Sequence, residues 1–230
     1  MRINKYIAIQ GWASRREADV LIESGKILVN GKKATIGQKV SENDTVELAG
    51  KTKDKTYLAY YKGRGIITHS PAESEVDIAT RLKKDYQLTE VYPVGRLDKD
   101  SEGLIILTND GRVTAPLLDS ENDIEKTYEV QVDKKVNNFI LSHARKGVNI
   151  EGYTTKPAKA EQKSDHTFLL TLTEGKKHQI RRMCAALGFQ VQSLKRVKIA
   201  NIEIGKLKPN QYRKIANEEL KTLLKVLHIS

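Results

Sequence analysis

From the N-terminus, apolar residues at Ile3, Tyr6, Ile7 and Ile9 recur at helical spacing until Gly11 breaks the pattern. Ser14 with Glu17 three residues on is a capping box. It predicts a second helix over 15–24, with Gly25 placed to close it. Ile27-Leu28-Val29 reads as a short strand, and Asn30-Gly31 is a strong hairpin signal. Two more short strands follow, the last at 45–48, so residues 1–50 form a helix–helix–sheet unit. The polar stretch ending at Thr56 predicts a linker over 51–56, leaving 57–230 as a second, larger domain.

In that domain, 57–61 and 104–108 are apolar runs of buried-strand length, whereas 127–132 and 167–172 alternate with period two. Helices are expected at 76–82, 137–146, 178–187 and 217–228. Strands at hairpin-like spacing outnumber helices. The pattern predicts an α+β fold with a mixed, mostly antiparallel sheet.

Charge narrows the picture. The 230 residues carry 40 Lys and Arg against 29 Asp and Glu, a net charge of +11. Residues 175–214 hold eleven cations and one acid, Glu203, so nearly all the excess sits in this one segment. Such a concentration suits phosphate neutralisation, although a solvated charged face would also carry it. A single cysteine, Cys184, excludes an internal disulfide framework and fits a reducing cytosol. No apolar run approaches a membrane span, and no signal peptide is expected after Met1–Lys5.

Several motifs fail. Gly147 to Gly152 has phosphate-loop spacing, but Tyr153 stands where the lysine is needed. Asp98 to Gly103 opens like a calcium loop, yet its twelfth position is Asn109. The five histidines and one cysteine make no zinc spacing, so neither metal nor cofactor is expected. What remains is a polar, glycine-flanked loop over 92–104 and a segment over 174–184, with Lys176 and Lys177 at a helix start. Cations there oppose the helix dipole and suggest that an anion arrives from elsewhere.

These residues resemble a known family. Gly95-Arg96-Leu97-Asp98 followed by Ser101-Glu102-Gly103-Leu104 is similar to the catalytic motif of the RsuA/RluB/RluE/RluF group of pseudouridine synthases. Lys126-Thr127-Tyr128 resembles the second motif, and Glu174-Gly175 through Gln179-Ile180-Arg181-Arg182-Met183 the third. Residues 1–50, with Ser14-Arg15-Arg16-Glu17-Ala18 and Val29-Asn30-Gly31-Lys32, resemble the RNA-binding domain shared with ribosomal protein S4. Within the group the chain is most similar to the RluF branch, which acts on large-subunit (23S) ribosomal RNA. One departure stands out: Tyr61-Lys62-Gly63-Arg64-Gly65 replaces the usual Asn-Lys-Pro-x-Gly.

The resemblance implies isomerisation of a flipped uridine, with Asp98 as the essential carboxylate acting on the ribose or on the base. Arg181 is implied as the cation beside it, and Tyr128 as the stacking partner of the base. Leu97 and Ile180 are pocket walls or core. Arg96 would reach a phosphate or the vacated base position, and His178 and Gln179 would touch the RNA backbone or cap the helix, with Arg182 beside them. Lys5, Arg15, Arg16, Lys26, Lys32 and Lys33 would line an RNA-binding face of the first domain. The expected partner is a structured RNA loop and the expected state a monomer. Competing readings are a non-catalytic RNA-binding or ribosome-assembly factor, and the same chemistry on small-subunit or transfer RNA.

Overall fold

The structure, a computed structural model, describes residues 1–41, 43–49, 54–69 and 75–229. Helices α1 (Ile3–Ile9) and α2 (Arg15–Glu23) accompany a three-stranded antiparallel sheet of β1 (Ile27–Val29), β2 (Lys32–Lys33) and β3 (Val46–Leu48), with β1 in the middle. Ile3, Ile7, Ala18, Ile22, Ile27 and Val29 bury a small common core. Asn30 and Gly31 take φ of +51° and +75°, the left-handed pair that a tight hairpin turn needs.

The capping box forms as read. Ser14 Oγ accepts from the Glu17 backbone N–H at 3.2 Å, and the Ser14 N–H donates to the Glu17 carboxylate at 2.9 Å. Ser14→Ala is therefore expected to cost the first domain about 1 kcal/mol. Trp12, the one tryptophan of the chain, lies edge-on to Tyr6 in this domain and reports its unfolding. A denaturant midpoint by tryptophan fluorescence that does not move would contradict the expectation.

The larger domain runs β4 (Tyr57–Lys62), α3 (Ile78–Tyr86), β5 (Tyr92–Val94), β6 (Glu102–Thr108), α4 (Thr114–Leu118) and β7 (Lys126–Val132). It continues with α5 (Asn138–Lys146), β8 (Asn149–Ile150), β9 (Tyr153–Thr154), β10 (Lys159–Ser164), β11 (Thr167–Leu172) and α6 (Gln179–Ala186). The last elements are β12 (Val191–Ile199), β13 (Ile202–Glu203), β14 (Tyr212–Lys214) and α7 (Asn217–Val226). Among the described residues these form a nine-stranded sheet in the order β10-β11-β7-β12-β6-β4-β14, with β13 beside β12 and β5 beside β6. All pairings are antiparallel except β12–β6, where Lys195 faces Glu102 and Arg196 faces Gly103. The expected mixed α+β architecture is present.

Residues 57–61 of β4 and 104–107 of β6 are apolar without alternation because both faces are covered. Leu58, Tyr60, Ile105 and Leu107 pack with Ile78 and Leu82 of α3. Their neighbours Tyr57, Ala59, Leu104 and Ile106 pack with α7 through Leu223 and Leu227. The other half of the sheet buries Val130, Phe168, Leu170 and Leu194 against α5 and α6.

Several features differ from the sequence reading: helix α4 was not expected, and α3 runs on to Tyr86 rather than ending at 82. Strands β10 and β12 lie in segments whose polar, cationic residues hide the alternation. Helix α3 starts at Ile78 rather than 76, because Val76 O accepts from Ile67 N–H while the Asp77 side chain caps Thr80 N–H at 2.8 Å. Residues 54–56 of the expected linker are fastened to the larger domain: Asn109 donates to Asp54 O at 2.9 Å and accepts from Thr56 N–H at 2.8 Å. Residues 50–53 lie outside the described residues.

Candidate active site

The loop between β5 and β6 carries Asp98, and the sequence pins that loop from three sides. Thr68, almost fully buried, accepts from Leu97 N–H at 3.1 Å and donates to Leu97 O at 2.8 Å. Gly65 N–H donates to Lys99 O at 2.8 Å. Lys62 at the end of β4 has 0% exposure, and its ammonium donates to Ser101 O at 2.7 Å, Gly63 O at 3.1 Å and Lys99 O at 3.5 Å. The Gly63 departure has a local explanation. Its N–H donates to Asn210 Oδ1 at 3.1 Å, a bond proline could not make, and a Cβ there would lie 2.8 Å from the same oxygen.

Two cavities meet at Asp98. One, of about 680 Å³, is lined by Arg96, Leu97, Asp98, Lys126, Tyr128, His178, Ile180 and Arg196, among others. The second, of about 330 Å³, shares Arg96, Leu97, Asp98 and His178 and adds His69, Lys99 and Arg181. Asp98 is thus reachable from both sides, with a side-chain exposure of 43%. The floor of the larger cleft includes Arg196 of β12 and Tyr128 of β7, which are direct cross-strand partners.

Burial pushes the Lys62 ammonium down to about 8, against the pull of Asp98, Glu102 and Asp100. Burial, then the Arg196 charge, takes Lys126 to about 8 as well. Above that pH the Asp98 loop loses its cationic anchor, so turnover is expected to fall as pH passes through 8. Stability runs the other way. Between about 8 and 10.5 the unfolded chain holds more protons at these lysines, so their share of folding free energy grows with pH. Single-turnover rates measured alongside thermal melts check this, and a flat rate profile to high pH would contradict it.

The residues singled out in the sequence divide into groups. Asp98, Tyr128, Arg96, Leu97, His178, Gln179 and Ile180 share the larger cleft. Leu97 and Ile180 are also core residues, buried in the clusters under α3 and α6. Gln179 turns inward: its side-chain amide donates to the buried Glu174 carboxylate at 2.7 Å and its carbonyl oxygen accepts from Lys176 N–H at 2.8 Å. It therefore holds the start of α6.

Arg181 borders the smaller cavity with Asp98 but is not paired with it. Its guanidinium donates instead to Val191 O at 3.2 Å and Asp100 O at 3.4 Å. The side chain that faces Asp98 is the His178 imidazole, with Nε2 at 3.6 Å from the carboxylate. Arg182 points away from the cleft, held by the Glu151 carboxylate at 2.6 Å. Lys5, Arg15, Arg16, Lys26, Lys32 and Lys33 are all exposed on the first domain. Lys62, Arg196 and Ser101 were not singled out. For Lys62 two signals were available: it ends a run of aromatic strand residues, and it stands where the family motif Asn-Lys-Pro-x-Gly has its lysine.

The cationic segment over 175–214 is not one patch. Arg196 is buried, Arg213 is paired with Glu219 and Lys198 with Glu203, so these cations are partly structural. Lys176, Lys177 and His178 remain exposed at the rim of the larger cleft, with Arg96 across from them.

A carboxylate loop at the head of a mixed sheet, rimmed by cations and coupled to a small basic helix–helix–sheet unit, defines an enzyme built for a polyanionic nucleic acid. Residues 56–186 match the RNA pseudouridylate synthase family and residues 1–46 the S4 domain. The dual-specificity RNA pseudouridine synthase RluF of Escherichia coli K12 is 37% identical over 239 residues, spanning 100% of this chain and 80% of that protein. The ribosomal large subunit pseudouridine synthase B of Bacillus subtilis is 35% identical over 232 residues, covering 96% and 95%. A crystal structure of a pseudouridylate synthase superposes with a TM-score of 0.72 at 29% identity, over 97% of this chain and 99% of the other. The chain belongs to the RNA pseudouridylate synthase family: it is an RNA pseudouridine synthase, an isomerase.

Proposed function

We propose that the protein converts one uridine in a loop of large-subunit (23S) ribosomal RNA to pseudouridine, with Asp98 as the essential carboxylate. The reaction breaks the bond from N1 of the base to C1′ of the ribose, turns the base and forms a bond from C5 to C1′. The C5 hydrogen leaves as a proton and N1 gains one, so atoms and electrons balance without an oxidant or an energy source. A stacked base is out of reach of any side chain, so the uridine must be extruded into the cleft. The observation that carries the reading is the position of Asp98, exposed at the meeting of two cavities, with Tyr128 in the larger and a cationic rim around both. Phosphates flanking the extruded nucleotide would meet Arg96, Lys176, Lys177 and His178, and those contacts position the RNA without specifying it. The S4 domain, matched over residues 1–46, would add affinity through its exposed cations.

Large-subunit RNA is the favoured substrate because a relative named for the ribosomal large subunit aligns over 96% of this chain. Small-subunit and transfer RNA are the other candidates, since the RluF relatives are named as dual-specificity enzymes and a second RNA is therefore worth testing. The test is release of tritium from RNA labelled at C5 of uridine, transcribed from large-subunit, small-subunit and transfer RNA. Release from the large-subunit transcript, mapped to one position, is the expected result. Release from another RNA alone would overturn the substrate assignment. Binding with no release from any of the three would overturn the reading.

A further inference from the structure

The larger cleft has in its floor a buried charged group that is only partly satisfied. Arg196 on β12 is 5% exposed, yet its guanidinium makes a single hydrogen bond, from Nε to Leu104 O at 2.7 Å. Nη2 is buried without an acceptor, and among the described residues no carboxylate lies within ion-pair range of it. Ser101 Oγ, on the same cleft, is also buried without a partner. Leaving a buried guanidinium uncompensated costs several kcal/mol, so folding alone gives no reason for it to be here. Lys126 lines the cleft too, close enough for the Arg196 charge to be felt at its ammonium. Arg196 is the direct cross-strand partner of Tyr128, so the two side chains stand side by side.

We propose that Arg196 is a base-binding residue: its free guanidinium nitrogens donate to a ring carbonyl oxygen of the pyrimidine lying against Tyr128. The proposal rests on the uridine reading above and assigns what holds the base. A planar dioxopyrimidine presents two carbonyl acceptors and no formal charge, which suits a dry, buried donor. A phosphate would bring its hydration shell and is served by the exposed rim cations instead. Arg196 takes up the charge that shifts onto the ring oxygens when the glycosidic bond loosens, and a fixed, desolvated donor acts most strongly there. Lys126 reinforces the field. Ser101 Oγ can accept or donate at the ring edge, according to which face of the base is presented.

The test uses full-length protein and the RNA in which tritium release has located the modified position, so that failure of the uridine reading registers before this experiment begins. Single-turnover rates are measured with uridine, 2-thiouridine or 4-thiouridine at that position, for wild type, Arg196→Met and Arg196→Lys. Sulfur is a poorer acceptor than oxygen. Wild type is expected to lose about tenfold on one of the two thio substrates. Arg196→Met is expected to lose about 10²-fold on uridine, and to show no further loss on that same thio substrate. Two results would overturn the proposal: a wild type indifferent to both sulfurs, or a sulfur penalty retained in full by Arg196→Met. The second would mark Arg196 as structural, because a merely structural residue has no reason to cancel a single-atom change in the base. If Arg196→Met does not fold by thermal melt, Arg196→Lys carries the same comparison. It keeps the buried cation with a shorter reach, and its sulfur penalty must shrink if the proposal holds.

Discussion

Asp98→Asn is expected to reduce tritium release by about 10⁴-fold or more, the range seen when a group that does the chemistry is removed from an enzyme. Salt-sensitive RNA binding should persist, because the cations of the rim and of the first domain are untouched. The fold should persist as well. Asp98 is half-exposed, its contact with the His178 imidazole is at the surface, and the loop around it is held through backbone atoms by Lys62, Gly65 and Thr68. Asparagine keeps the shape and loses the charge. Rates, filter binding and a thermal melt on the two proteins therefore separate chemistry from binding and from folding. A variant that turned over RNA within tenfold of wild type would remove Asp98 from the mechanism.

Gly103→Ala should do the opposite, harming the fold first. Gly103 takes φ of +112°, and a Cβ would sit 2.3 Å from the Arg196 carbonyl oxygen and 2.6 Å from its nitrogen. Both are backbone atoms of the central strand and cannot swing aside. Overpacking and backbone strain together should cost about 4 kcal/mol, lowering the melting temperature by about 10 °C. The damage falls on the parallel β6–β12 pairing, which joins the two halves of the sheet and carries the cleft floor. Gly152→Ala is the matched control. Gly152 also has positive φ, at +83°, but nothing lies within 4 Å of its Cβ direction, so only about 1 kcal/mol of strain is expected. Equal melting temperatures for the two variants would refute the close-approach argument.

Local signals in the sequence carried well where one rule acted alone. The Ser14–Glu17 box and the Asn30-Gly31 turn each depend on backbone geometry within a few residues, and both form. The apolar runs of β4 and β6 were legible because both of their faces are covered. Strand β12 was not. It reads Val191-Gln192-Ser193-Leu194-Lys195-Arg196-Val197-Lys198-Ile199, with register shifts at two places against β7, so its alternation slips and its cations look like surface. Once β12 is missed, the cleft floor cannot be drawn, and Arg196 counts as one more phosphate binder. Asp98 and Tyr128 came from the family resemblance, and what the sequence withheld was the packing between them. The loop at Asp98 is set by Lys62, Thr68 and Gly65, and α6 by the buried Glu174, contacts that span from about five to about forty residues.

Chain order gives the central strand one more consequence. Strands β6 and β7 are made early and are not paired with each other; β12, nearly sixty residues further on than the end of β7, fills the gap between them. A ribosome that has released residues 1–190 therefore holds a chain with the Asp98 loop and Tyr128 synthesised but no floor between them. The enzyme acquires its cleft only when Val191–Ile199 emerges and inserts. A nascent chain that ends short of β12 is thereby expected to be catalytically silent, and a 1–190 truncation that released tritium would contradict this.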